Sequence, residues 1–193
     1  MMEYLTGSGH ETRPPIDGGI IQAPASDREA ICMLLDPQIY QDSCEVAKKM
    51  IADGDGEEIV PSKGIKKILP APISARRWLS LASPERNGDD DYFSSDLTDE
   101  QLIKTFGSLP ARTPLCILLS GSDEYMPTTI DKARLLSRWM EIVKKGKGKV
   151  DEKHSEVIEG ASHTLDENPS VVVEQLVTRV LGFLNALPGH PNL

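Results

Sequence analysis

The sequence predicts an α/β fold: parallel strands with crossing helices and an inserted helical segment. Three observations carry this reading. Residues 115–119, Leu-Cys-Ile-Leu-Leu, form an unbroken apolar run, the pattern of a strand buried on both faces of a parallel sheet. Two more short strand patterns, near residues 18–23 and 155–159, are separated from it by helical periodicities. Between residues 36 and 110 the chain changes character: short helix patterns are broken by Gly54, Gly56, Pro61, Pro70 and Pro72 and by a polar, acidic stretch at 84–96, which marks an insertion rather than further strand–helix alternation.

In chain order, residues 1–5 read as a last helical turn ended by Gly7 and Gly9. Residues 17–23 make the first strand, opened by Gly18 and Gly19 and stopped by Pro24. Ser26 begins a helix, with Glu29 at the capping-box position and Ala30, Ile31, Leu34 and Leu35 as its apolar face. Asp27 and Arg28 read as a solvated first turn, with contact to a substrate as the alternative. Asp42 caps a short helix, with Glu45 in the box position, Val46, Ala47, Met50 and Ile51 inward, and Gly54 and Gly56 at its end. Pro61, Pro70 and Pro72 bracket irregular structure, and residues 73–82 form a helix containing Trp78. Asp89, Asp90 and Asp91 stand in a row without the alternating spacing of a calcium loop, and read as a solvated loop. Thr98 and Gln101 start a helix that ends near Gly107.

Beyond the central strand, residues 128–145 read as a long helix with Ile130, Ala133, Leu136, Met140 and Val143 on one face. Lys144, Lys145, Lys147 and Lys149 fall at and past its end, where cations complement the helix dipole. A last helix begins at Asn168-Pro169, a cap followed by proline at the first helical position. Val172, Leu176, Val180, Phe183 and Leu187 form its inward stripe, and residues 188–193 are a short tail.

The chemistry sits where two strands end. The central run stops in Ser120-Gly121-Ser122-Asp123-Glu124, which places Asp123 just past the carboxyl end of a core strand. In open α/β sheets that edge is where ligands bind. The third strand ends in Gly160-Ala161-Ser162-His163. A strand-end acid, a long helix, then a strand-end histidine is the back half of the Ser…Asp…His order of α/β-hydrolases. A histidine that takes a proton from serine needs one ring nitrogen held by a buried acid. The plainer alternatives are that Asp123 caps its turn and that His163 is simply exposed.

The motifs SGSDEYMP and EGASHTL, and above all residues 13–30, RPPIDGGIIQAPASDREA, resemble a fungal α/β-hydrolase family, long catalogued as a domain of unknown function, that includes fusarinine-type siderophore esterases. The likeness runs from Met1 to about Leu187. It implies a serine hydrolase acting on a small-molecule ester in the complete fold, without a cofactor or metal, with Asp123 as triad acid and His163 as base. The family's nucleophile lies in a Gly-His-Ser-Thr-Gly type elbow, ahead of the helix whose tail would match residues 1–6. No Gly-x-Ser-x-Gly occurs in this sequence. Gly7-Ser8-Gly9-His10 follows no strand, and Ser120 and Ser122 sit on the acid's own turn. The chain therefore reads as one C-terminal, half-hydrolase domain, with a helical cap at about 36–110 and inactive alone. A complementary N-terminal half would be its partner. By position in the cap, Trp78, Tyr92 and Phe93 are candidates to line a pocket, but Trp78 is read first as packing the insertion onto the sheet. The first strand would expose an apolar edge, which predicts poor independent stability.

Length and composition bound the rest. At 193 residues one domain with a sizeable core is expected, and 5% aromatic content leaves it few large anchors. A net charge of −9 argues against nucleic acid or an anionic membrane as partner. No apolar run reaches membrane-span length, and no signal-type segment opens the chain, so a cytoplasmic setting is expected. Cys32, Cys44 and Cys116 form no metal spacing, and Cys116 reads as a small core hydrophobe. A nucleotide-binding domain would need a Gly-rich strand–helix turn, which is absent. A non-catalytic hydrolase-like binding module stays open as the second reading.

Overall fold

A computed structural model describes residues 1–89 and 91–189. Asp90 and residues 190–193, part of the expected acidic loop and tail, lie outside them. Eight α-helices, two short 3-10 helices and three strands are defined among the described residues. The α-helices and strands are α1 (Met2–Thr6), β1 (Gly19–Gln22), α2 (Asp27–Leu34), α3 (Pro37–Asp53), α4 (Ile65–Ile68), α5 (Ala75–Ala82), α6 (Asp99–Lys104), β2 (Leu115–Ser120), α7 (Lys132–Lys145), β3 (Glu156–Ile158) and α8 (Ser170–Ala186). They fall into two compact units.

The first unit holds Met1–Pro24, Ser95–Glu124 and the described part of Thr128–Leu193. Its three strands are parallel, as the strand patterns predicted, and stand in the order β1-β2-β3. All six residues of β2 are buried, which is why its sequence carries no polar alternation. Cys116 and Leu118 pack with Ile158, Val172, Phe183 and Leu187, so the α8 stripe covers one face. Val171, Val177 and Leu181 on α8 remain exposed. Helix α7 packs on β2 and β3.

Two helix predictions for this unit change. Helix α7 starts at Lys132 rather than at residue 128, because the Asp131 side chain accepts from the Arg134 amide at 2.9 Å and so caps there. Its buried residues are Leu135, Leu136, Trp139, Ile142 and Val143, a face turned away from Ala133 and centred on Trp139. The Trp139 ring stacks on Phe106 with centroids 5.2 Å apart. Helix α8 is preceded by Pro169 at the cap position, because the Asn168 side chain is used elsewhere.

The second unit holds Ala25–Ser94 and Tyr125–Pro127. The residues expected as insertion, 36–110, are thus shared between the units. Helices α2, α3, α4 and α5 close around Trp78, which is fully buried among Ile31, Leu35, Cys44, Ala47, Val60 and Ile65. Trp78 therefore belongs to this helical core. Helix α3 begins six residues earlier than the Asp42 reading: Asp36 accepts from the Gln38 and Ile39 amides, and Pro37 follows at the first position. Asp42 lies inside the helix and accepts from Gln38 Nε2 at 2.8 Å. The longer helix turns Val46 outward, while Gly54, at φ 95°, ends it in the left-handed conformation.

Ser26 caps α2 as predicted, accepting from the Glu29 amide at 3.1 Å. Leu34 is exposed, and the buried positions of α2 are Ile31 and Arg28. Arg28 is not solvated. Its Nε lies 2.8 Å from Asp91 Oδ2, with both side chains under a tenth exposed. Asp91 also accepts from Ser94, whose hydroxyl lies 2.5 Å from that of Ser26. The solvated-loop reading fails for Asp91 because a buried guanidinium needs a counter-charge.

Candidate active site

Sheet order alone brings the two sequence motifs together. The turn after β2 and the loop after β3 leave neighbouring parallel strands at the same edge. Four contacts then join them. The Gly121 amide donates to Ile158 O at 2.9 Å, and the Ser122 amide to Ala161 O at 2.9 Å. A Cβ at Gly121 would stand 2.8 Å from that Ile158 carbonyl, so only glycine permits this approach. Glu124 Oε2 accepts from the His163 amide at 3.0 Å. The fourth contact is His163 Nδ1 to Asp123 Oδ2, at 3.0 Å.

Asp123 and His163 are thus placed within hydrogen-bonding reach, at the edge the sequence assigned to them. The Asp123 side chain is 1% exposed and that of His163 33%. A carboxylate can only accept, so in neutral His163 the proton sits on Nδ1 and Nε2 is the basic nitrogen.

Further residues, unread as site residues in the sequence, hold the histidine. Gln22, the last residue of β1, donates from Nε2 to His163 O at 3.0 Å. With Glu124 on the amide, the backbone of His163 is tied on both sides. The Glu124 carboxylate is held below its usual pKa, chiefly by accepting that amide. Asn168 Oδ1 accepts from the Ser162 amide at 2.9 Å and from its hydroxyl at 3.1 Å. Lys132 Nζ donates to Ser120 O at 2.8 Å and Gly121 O at 2.7 Å, under the acid's turn. Backbone strain gathers at this edge: Ala23 after β1 has φ 45°, and Leu165 and Glu167 in the histidine loop both have φ 61°. Non-glycine residues stay in that region only where their surroundings impose it.

The serines weighed in the sequence take other places. Ser120 is 2% exposed at the end of β2. Ser8 and Ser122 are exposed in loops. Asp27 is exposed on α2, and Tyr92 and Phe93 lie 6.2 Å apart in the second unit. Among the described residues, no three of His, Cys, Asp and Glu gather as a metal site.

Parallel strands with an acid after the second and a histidine after the third define an α/β-hydrolase-like chain. More particularly, the chain belongs to the family described as Protein of unknown function (DUF1749), whose model matches residues 1–185. It is 38% identical over 202 residues to the fusarinine C esterase sidJ of Aspergillus fumigatus, covering 92% of this chain and 57% of that protein. It is 37% identical over 224 residues to the esterase AN6793 of Emericella nidulans, covering 96% of this chain and 58% of that protein. The siderophore hydrolase EstB from Aspergillus fumigatus superposes with a TM-score of 0.77 at 36% identity, over 96% of this chain and 62% of that one. The chain thus spans a little over half the length of the curated relatives it matches.

Proposed function

We propose that this chain supplies the acid–base part of an ester-hydrolysing site, with His163 as general base and Asp123 as the acid that orients it. The 3.0 Å contact between a buried carboxylate and a partly exposed imidazole carries the reading. Such an acid fixes the tautomer and stabilises the imidazolium that forms when Nε2 takes a proton. The names of the relatives support a siderophore ester as substrate. The serine nucleophile is assigned outside these residues, since the sequence has no Gly-x-Ser-x-Gly elbow. On this reading the chain turns over esters only with a complementary segment that carries the elbow.

A chimera tests it: this chain replaces the matched region of the Aspergillus fumigatus fusarinine C esterase, and hydrolysis of fusarinine C is measured. Activity is expected, with kcat falling on the order of ten-thousand-fold in Asp123→Asn and at least as far in His163→Ala. The chain alone is expected to hydrolyse no short-chain nitrophenyl ester above buffer. A chimera whose activity survives His163→Ala would refute the acid–base role. A folded but inactive chimera would favour a non-catalytic binding module.

A further inference from the structure

Lys132 opens helix α7, directly after its cap Asp131. That is the wrong end for a cation, since the helix dipole favours acids at the first turn and bases at the last. It is also partly buried, and desolvation lowers the pKa of its ammonium against the opposing pull of Asp123 and Glu159. Two local rules are therefore broken at one residue. Where a sequence breaks such rules, a compensating contact or a function is expected nearby.

The contacts are specific. The ammonium donates to Ser120 O at 2.8 Å and to Gly121 O at 2.7 Å, the carbonyls that end β2 and open the acid's turn. Both bonds are charge-assisted, the stronger class. The amides of the same turn are spent on β3 and the histidine loop, Gly121 on Ile158 O and Ser122 on Ala161 O. Lys132 thus clamps the turn from the carbonyl side while β3 holds its amide side. The positive charge also lies in the field of the buried Asp123, a carboxylate that needs opposite charge nearby.

We propose that Lys132 is a positioning residue, fixing the turn so that the Asp123 carboxylate meets His163 Nδ1. This rests on the acid–base reading of that pair. Lys132 touches no reacting atom on this account; it acts through Asp123.

The test reads the histidine, so it needs no turnover. In the 15N-labelled full chain, imidazole nitrogen shifts report which nitrogen carries the proton. His154 serves as an internal control: its Nδ1 lies 2.7 Å from Asp151 Oδ2, ahead of β3 at the other end of the strand from the site. In the unsubstituted chain both histidines are expected as single Nδ1–H tautomers. In Lys132→Met, His163 is expected to become a tautomer mixture, with its Nδ1–H exchanging with solvent about tenfold faster or more, while His154 is unchanged. Lys132→Arg, which can reach both carbonyls, is expected to restore the single tautomer. Lys132→Gln, which keeps a donor without the charge, falls between them and serves if the Met variant does not fold.

Unchanged His163 signals in both Lys132→Met and Lys132→Gln would overturn the inference and leave the acid–base pair standing. Loss of the His154 and His163 signatures together in all three variants would also overturn it, making Lys132 a general fold residue. A mixed tautomer at His163 in the unsubstituted chain would instead sink the acid–base reading itself.

Discussion

The buried Arg28–Asp91 pair shows how one residue can tie distant stretches of chain. Its partners stand 63 positions apart, yet Nε and Oδ2 meet at 2.8 Å with side chains 8% and 2% exposed. A buried pair of this kind contributes little relative to a well-packed apolar pair, because desolvating two charges offsets their attraction. Removing Asp91 is different, since it takes away a carboxylate 2.8 Å from a guanidinium that stays buried. Asp91→Ala is therefore expected to cost about 3–5 kcal/mol, read as a lower urea midpoint at unchanged slope. The double variant Arg28→Met with Asp91→Leu is expected to recover most of that loss. If Asp91→Ala cost no more than a surface substitution, the pair would be exposed in solution.

At the scale of elements, the strands were legible and the helix faces less so. A run buried on both sides writes its burial directly into sequence, and β2 did so from Leu115 to Leu119. The placement of Asp123 and His163 at one edge was legible for a related reason: the ends of their strands are marked by glycine and small polar residues. The face of α7 was not legible, because alternative 3.6-residue stripes fit the sequence and only packing against the sheet and Phe106 selects the one through Trp139. Asn168 misled for another reason: its side chain has the chemistry of a cap and is used to hold Ser162. Gln22, Glu124 and Lys132 carry no signal as site residues until the sheet order brings their elements to one edge. Where a true cap exists its effect is measurable. Asp36 bonds two free amides of α3, so Asp36→Ala is expected to destabilise the chain by about 1 kcal/mol, while Asp42→Ala, inside the helix, changes little. A larger loss at Asp42 would restore the later start of that helix.

For the whole molecule, pH acts on charges that each unit settles within itself. In the second unit Glu85 is held below the usual carboxylate range, chiefly by accepting a hydrogen bond from Lys48, at 2.6 Å. In the first, Glu124 is held low chiefly by the His163 amide. A carboxylate with a depressed folded pKa contributes stability that is fully present above its unfolded value and is lost as pH falls through the folded one. Both side chains are largely exposed, so solvent screens them and each contribution is small. The chain, at −9 near neutrality, also gains positive charge on acidification. Urea midpoints are therefore expected to be nearly flat near neutral pH and to fall below the ordinary carboxylate pKa of about 4.3. The difference between the chain and its Glu85→Gln, Glu124→Gln double variant should be largest at neutral pH and should narrow as pH drops to about 3, because protonation removes from the chain what the variant already lacks. Added salt should shrink the neutral-pH difference too, the mark of exposed charge. A difference that stays constant across that range would mean the two carboxylates act by packing rather than by charge, and the tie between Glu124 and the His163 backbone would then be neutral in its energetics.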